Sequence, residues 1–507
     1  MKFILNTATL LLSFLLFSQE DFKSSYDKKE VYITMRDGTK LFTAIYTPKD
    51  ISKNKKYPIL MQRTCYSIAP YGVENYKKTL GPNTFLSKDK YIFVYQDVRG
   101  RYMSEGVFTN MTPQVPHTTK KDIDESTDTY DTVDWLVKNI AFNNGKVAQY
   151  GTSYPGFYSA VGALAKHPSL VASSPQAPIS DFFFDDFHHN GAFLMGYFKT
   201  FPVFGVQKTK AEDKAWYSDQ SIKTTSRDGS LFYNEMGTLK EGVDKYYKNN
   251  FFMQEIVTHP SYDSFWKSRN LLPHLKNINH AVMTVGGWFD AEDLAGPLNI
   301  YKTIEKNNPK AKNTIVMGPF SHGGWSREAG KHFHNDIYFG DSIATFYQKN
   351  MEYKFFNHYL KENSKNAAAL PEAYMFDTGK KVWKEFAQWP PKNNTKLNFY
   401  LNSDGKITNQ KSNNSSYSEY YSDPNKPVPS SINYGEMNGF TPRNYMSEDQ
   451  RFALNRPDVL TFTTEYLTED ITLAGEIMAK LKIMSSATDA DFIVKLIDIY
   501  PIDEPQN

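Results

Sequence analysis

Val147-Ala148-Gln149-Tyr150-Gly151-Thr152-Ser153-Tyr154-Pro155-Gly156 is an apolar, strand-like run that breaks at glycine, presents one serine and passes into a helix-like segment. A serine held on a sharp strand-to-helix turn needs small neighbours, because the chain is crowded there and the hydroxyl has to stay exposed. Gly151 and Gly156 supply that room, in a G-x-S-x-x-G spacing one residue longer than the common form. Pro155 suits the first turn of a helix, where its missing N–H costs nothing. Ser153 then sits at a helix N-terminus, with the Tyr154 N–H free to face a developing oxyanion. Taken alone the pattern also describes an ordinary strand–turn–helix, so the reading depends on finding partners for the serine.

The chain has 507 residues, enough for two or three domains. Its 58 basic and 56 acidic residues leave a net charge of +2, which gives no reason to expect a nucleic-acid or acidic-polymer partner. Met1-Lys2, an apolar run from Phe3 to Phe17 and then polar Ser18-Gln19-Glu20 read as a secretory signal over residues 1–19. The expected mature protein is secreted or periplasmic, with no membrane association after signal cleavage. Cys65 is the single cysteine, so no internal disulfide is expected.

Three strand-like runs (Val31–Thr34, Leu41–Tyr46, Tyr57–Gln62) open the chain, separated by the turn signals Arg36-Asp37-Gly38-Thr39 and Pro48-Lys49-Asp50. Strand-like Tyr91–Tyr95, a helical Asp122–Asn139 and strand-like Lys146–Tyr150 then alternate, which predicts a parallel α/β sheet with its site beyond the strand carboxyl ends. Residues 181–275 lose that rhythm and become aromatic and helical, an expected cap. The alternation returns with Ala281–Gly286, a helix from about Leu294 to Glu305 and Thr314–Pro319. From about Pro390 the runs Leu397–Leu401, Leu460–Thr464, Ile477–Ile483 and Asp491–Asp498 predict a separate β domain, with 409–431 as a loop inside it. Asp97-Val98-Arg99-Gly100-Arg101 follows its strand directly and reads either as a pocket wall or as a loop fixed by Asp97 and Arg99 through an ion pair and hydrogen bonds.

A serine nucleophile needs a base and an orienting carboxylate. Asp290 ends a strand in Gly286-Gly287-Trp288-Phe289-Asp290, and His322 follows another in Gly318-Pro319-Phe320-Ser321-His322. Ser153, Asp290 and His322 thus stand at three strand ends in the chain order of α/β-hydrolases. Glu292 and Asp293 crowd two further carboxylates beside Asp290; from the residues alone they also read as an acidic pair at a helix N-terminus. No H-x-x-x-H, cysteine pair, Walker loop or dinucleotide fingerprint is read, so no metal and no cofactor are expected.

The chain resembles the cocaine-esterase/X-Pro dipeptidyl-peptidase group of α/β-hydrolases, and within it the α-amino-acid ester hydrolases most closely. The motifs that carry the resemblance are Asp97-Val-Arg-Gly-Arg with Ser104-Glu-Gly, Gly151-Thr-Ser-Tyr-Pro-Gly, Asp185-Asp-Phe-His-His-Asn-Gly-Ala-Phe, Gly287-Trp-Phe-Asp-Ala-Glu-Asp and Gly318-Pro-Phe-Ser-His-Gly-Gly-Trp. The resemblance implies a Ser153–Asp290–His322 triad and an oxyanion site made by the Tyr66 hydroxyl and the Tyr154 N–H. It also implies that Asp186, Glu292 and Asp293 bind a substrate α-ammonium.

The resulting expectation is an α/β-hydrolase domain over 28–180 and 276–388, a helical cap over 181–275 and a jelly-roll-like β domain over 389–507. In relatives the jelly roll continues beyond a strand equivalent to Asp491–Tyr500, so this last domain is expected to be incomplete. The expected activity is cleavage of small acyl esters or amides through an acyl-enzyme, with an α-amino acid ester as favoured donor. A dipeptidyl-peptidase-like peptidase or acylase is the alternative within the group. A non-catalytic, glycan-binding surface protein is the rival from another class, and intact Ser153, Asp290 and His322 argue against it. Assembly into a homo-oligomer is left open by the sequence.

Overall fold

The computed structural model describes residues 22–504 with the exception of 120, 190, 201, 221, 224–227, 362–368, 414–415 and 433–444; the leader expected over 1–19 lies outside them. Ten strands form one sheet: β1 (Tyr26–Thr34), β2 (Lys40–Pro48), β3 (Tyr57–Thr64), β4 (Ile92–Asp97), β5 (Asn143–Thr152), β6 (Leu170–Gln176), β7 (Ala281–Gly287), β8 (Asn313–Gly318), β9 (Ala373–Asp377) and β10 (Val382–Phe386). Their spatial order is β1-β2-β4-β3-β5-β6-β7-β8-β9-β10. The pairs β1/β2, β2/β4 and β9/β10 are antiparallel, and every pair from β4/β3 to β8/β9 is parallel. The fold class is the expected one, an α/β-hydrolase sheet.

Side-chain alternation along the central strands explains why both faces are covered. Ile59, Met61, Ile92, Val94 and Val147 point to one face and pack against Val133 and Leu136 of the helix Glu125–Asn139. Leu60, Phe93, Tyr95 and Ala148 point to the other, under Phe355, Phe356 and Leu360 of the helix Tyr353–Leu360. A sheet covered on both faces is what parallel strands with helical crossovers require. The helix expected from Asp122 begins at Glu125, because Asp124 is its N-cap: the Asp124 carboxylate accepts the N–H groups of Ser126 and Thr127, and the Thr127 side chain answers the Asp124 N–H in a capping box.

Between β6 and β7 the chain leaves the sheet for short helices, among them Gly229–Met236, Leu239–Tyr246, Phe251–Thr258 and Ser264–Arg269. Asp228, Thr238, Asn250 and Asp263 cap their N-termini. Phe182, Phe187, Phe204, Phe252 and Trp266 of this segment share one core with Tyr154 and Phe157 of the helix that follows Ser153. The helix carrying the serine is therefore wedged between sheet and cap.

The C-terminal region carries few strands among the described residues. Beyond Pro390 the described residues contain one two-stranded pair, Tyr400–Leu401 with Ile407–Thr408, and the runs at 460–464, 477–483 and 491–498 join no ladder. Their apolar residues stay exposed, Ile493 and Leu496 among them. Strand periodicity states which face would be buried, but a sheet forms only where a partner supplies the matching N–H and C=O groups. Among the described residues of these runs this happens at one point, where the Ile407 N–H donates to the Thr463 carbonyl at 2.7 Å and the Thr463 N–H to the Gly405 carbonyl at 2.9 Å, an isolated parallel bridge.

Candidate active site

Ser153 stands between β5 and the helix Tyr154–Gly162 with φ 69° and ψ −131°. A non-glycine residue holds such a conformation only when its surroundings over-determine it. They do: the Ser153 N–H donates to the Gln176 carbonyl at 2.9 Å, and the Phe157 N–H to the Ser153 carbonyl at 3.0 Å. The two glycines of the motif are steric necessities, since a Cβ on Gly151 would lie 2.2 Å from the Pro155 oxygen and one on Gly156 2.4 Å from the Gln176 oxygen. The Tyr154 N–H, at the first helical position, has no carbonyl of its own helix to bond.

Asp290 and His322 meet across the ends of β7 and β8. The Asp290 carboxylate lies 3.1 and 2.9 Å from His322 Nδ1 and also accepts the N–H groups of Glu292 and Asp293, each at 2.9 Å. It is buried, yet its carboxyl is held below the usual range because the imidazole and those two amides outweigh the desolvation that opposes them. Burial alone would lower His322; Asp290, Glu292 and Asp186 reverse that and push it up to about 9. The loop bearing His322 abuts the serine turn, as a methyl on Gly323 would lie 3.4 Å from Thr152 Cγ2. Among the described residues no hydrogen bond joins the Ser153 hydroxyl to the imidazole. Nε2 instead faces Glu292 Oε2 at 3.5 Å.

Three carboxylates gather around this pair. Asp293 is fully buried, 3.8 Å from His322 Nδ1, and neither of its oxygens has a hydrogen-bond partner among the described residues. Burial pushes its carboxyl well above the ordinary range, and the charges of Asp186 and Asp290 add to the rise. Asp186 comes from the π-helical turn Phe183–Phe187. Burial raises it too, with Glu292 and Asp185 adding and His322 opposing. Residues far apart in sequence thus share one negative potential. Glu292, Asp293 and His322 offer ligand atoms within 4.8 Å of one another, an arrangement that answers a cation. His322 Nδ1 is already committed to Asp290, so a metal there would occupy the only base at the site, whereas a protonated amine needs only the carboxylates.

Tyr66 follows β3, and its ring meets that of Tyr154 edge-on at 6.3 Å. It is 39% exposed, yet its setting is crowded enough that desolvation, ahead of the negative potential of Asp186 and Glu292, holds the phenol well above its usual range. It therefore stays a hydrogen-bond donor at neutral pH. Tyr66→Phe is expected to lower kcat on the order of 10²-fold with KM little changed, as for loss of one oxyanion donor. Steady-state kinetics on any ester substrate check this; a change confined to KM would assign Tyr66 to substrate binding instead.

The Asp97–Arg101 loop is braced in a way the sequence did not specify. Arg99 pairs with Asp37 and Asp128, each at 2.7 Å, and not with Asp97. Asp97, pushed by burial up to about 7, accepts the Ile68 and Met103 N–H groups and the Tyr71 hydroxyl. Arg101 donates from Nε to the Cys65 carbonyl, directly before Tyr66. The sequence reading passed over Gln176 and Glu352, which lie behind the serine turn; Gln176 ends a strand, the one signal that could have marked it.

The model of the X-Pro dipeptidyl-peptidase S15 family matches residues 37–324, and that of the X-Pro dipeptidyl-peptidase C-terminal non-catalytic domain matches residues 365–505. Cocaine esterase from Rhodococcus sp. (strain MB1 Bresler) is 26% identical over 495 residues, covering 93% of this chain and 80% of the relative. Among solved structures, an aminopeptidase from a marine sediment Thaumarchaeota archaeon superposes with TM-score 0.77 at 30% identity, covering 92% of this chain and 76% of that one. An α-amino acid ester hydrolase superposes with TM-score 0.77 at 29% identity, covering 91% and 76%.

Proposed function

Because this chain belongs to the X-Pro dipeptidyl-peptidase S15 family and is a serine hydrolase, an esterase or a peptidase, of that group, we propose that it transfers the acyl group of small α-amino acid esters to water, recognising the substrate ammonium with Asp186, Glu292 and Asp293. The observation that carries the reading is the Asp293 carboxylate, fully buried with no hydrogen-bond partner for either oxygen among the described residues. A buried carboxylate in that state is costly, and a docked ammonium offsets the cost through charge-assisted hydrogen bonds.

In this reading Ser153 Oγ attacks the acyl carbon while His322 Nε2 takes the hydroxyl proton, and Asp290 stabilises the resulting imidazolium. The Tyr154 N–H and the Tyr66 O–H receive the carbonyl oxygen as it becomes negative. The imidazolium returns its proton to the leaving alcohol, and a water repeats the sequence on the acyl-enzyme. The ammonium has a second effect, because it gives Glu292 a stronger partner than the imidazole and so leaves Nε2 to the serine.

That link makes the pH profile the test. His322 acts as a base only when neutral, and in the free enzyme it becomes neutral as pH rises through about 9. An α-amino ester must keep its ammonium, which is lost through roughly pH 7.7–8.0. Its kcat/KM is therefore expected to be bell-shaped, with the maximum between those two values. In kcat the bound ammonium cancels part of the anionic potential, so the acid limb should lie lower. A des-amino ester should show kcat and kcat/KM acid limbs at one pH. Acid limbs near 6.5 for both substrates would contradict the reading.

A second reading, release of short N-terminal units from peptides, is favoured by the matched family's own description. A peptide's terminal ammonium carries the same charge, so a peptide amide assayed beside the ester separates the two. The apolar run Phe3–Phe17 supports export; a protein found inside the cell and still beginning at Met1 would end that part of the proposal.

A further inference from the structure

Gln176, at the end of β6, touches both halves of the catalytic arrangement. Its carbonyl accepts the Ser153 N–H. Its side-chain Oε1 accepts the Trp325 indole N–H at 2.8 Å and the Thr152 hydroxyl at 3.2 Å. Trp325 is fully buried in the short helix Gly324–Arg327, which begins two residues after His322. The Gln176 amide Nε2 donates to Glu352 Oε1 at 2.6 Å, and the other oxygen of Glu352 accepts from Asn83 Nδ2 at 2.6 Å.

The polarity of this chain of bonds is fixed by chemistry. An indole N–H only donates, so the oxygen of Gln176 has to face Trp325 and its NH₂ has to face Glu352. Asn83 Oδ1 is engaged by the Leu86 N–H, so its NH₂ faces Glu352 as well. Glu352 is therefore obliged to accept on both oxygens, a role a carboxylate fills and a neutral amide cannot. It is 2% exposed and ends the π-helical turn Gln348–Glu352, a local widening of the kind that recurs where a helix serves a site. Burial pushes its carboxyl up to about 6, with Asn83, Gln176 and Tyr347 opposing the rise, which leaves the carboxylate as the main form at neutral pH.

We propose that Gln176, clamped by Glu352, is a positioning residue that locks the Ser153 turn to the His322 loop and so sets the distance over which the serine proton is transferred. The inference rests on the assignment of Ser153 and His322 as nucleophile and base. Glu352→Gln turns one of the two amide contacts into donor facing donor, and Gln176→Glu sets two carboxylates against each other. Each single variant should lose about 10–100-fold in kcat with KM nearly constant, as for a small displacement of reacting groups.

The paired exchange, Gln176→Glu with Glu352→Gln, restores an acceptor to each donor of the Gln176–Glu352 clamp and leaves only the long Tyr347 hydroxyl contact, 3.3 Å from Glu352 Oε1, facing an NH₂. The carboxylate introduced at position 176 accepts from Trp325, from Thr152 and from the amide introduced at position 352, and the oxygen of that amide accepts from Asn83 Nδ2. The exchange should recover kcat to within a few-fold of the native enzyme. Trp325→Phe, which removes the bond to the His322 loop and keeps an aromatic ring against Phe320, should lower kcat while Ser153 stays at its strained φ; it covers the case in which a single variant fails to fold. Steady-state kinetics with melting temperatures on all four variants decide the matter. A double variant no better than the singles, or variants that lose melting temperature at unchanged kcat, would overturn the proposal. Ser153→Ala in the same assay reports separately on the assignment it rests on.

Discussion

Replacing Ser153 with alanine is expected to lower kcat on the order of 10⁶-fold and to abolish covalent labelling by a fluorophosphonate, as when the nucleophile of a serine hydrolase is removed. The fold should survive, because the strained turn is held by main-chain bonds to Gln176 and by close packing at Gly151 and Gly156, none of which involves the hydroxyl. Alanine tolerates the positive φ no worse than serine does, so the melting temperature should move little. Ester turnover near the native level would remove Ser153 from the chemistry, and the roles given to His322 and Asp290 would go with it.

The second large effect belongs to the acidic cluster. Glu292→Gln and Asp293→Asn are each expected to cost ~2–5 kcal/mol in kcat/KM on an α-amino ester, the range for truncating one side of a desolvated charge pair. On the des-amino ester the same changes should cost far less, and Asp293→Asn should help, since it removes a buried carboxyl that has no hydrogen-bond partner beside His322. The two-substrate, two-variant cycle isolates the ammonium contact from general damage. Equal losses on both substrates would mean that the acids only support the triad. Glu292→Gln also lowers the anionic potential on the imidazole, so the acid limb of kcat/KM should shift below the native one, which follows from Glu292 being among the groups that raise His322.

The central sheet was legible because its strands carry their own evidence. Short continuous apolar runs such as Ile59-Leu60-Met61 mark strands buried on both faces, and the G-x-S-x-x-G turn is dictated by contacts too close for any Cβ. Asp290 and His322 could be singled out because strand ends are where parallel sheets place their chemistry, and the structure brings the two within 2.9 Å. The pairing of Arg99 with Asp37 and Asp128 could not, since charge alone does not say which carboxylate the fold brings near. Nor could the part played by Glu352, whose neighbours Asn83 and Gln176 lie far away along the chain. The C-terminal runs do mark a domain of their own, since the C-terminal non-catalytic domain of the family matches residues 365–505; alternation states only the capacity for a strand, and which run pairs with which depends on partners the run does not encode.

The claim that this hydrolase is built for α-amino acyl groups is tested most directly by one comparison, kcat/KM of the native enzyme on an α-amino acid methyl ester and on the ester identical except that hydrogen replaces the amine. The arrangement of Asp186, Glu292 and Asp293 predicts that the amino ester is the better substrate by about 30-fold or more at the pH where it is still protonated, the lower bound for losing one charge-assisted contact in a desolvated site. A des-amino ester turned over as well or better would contradict it.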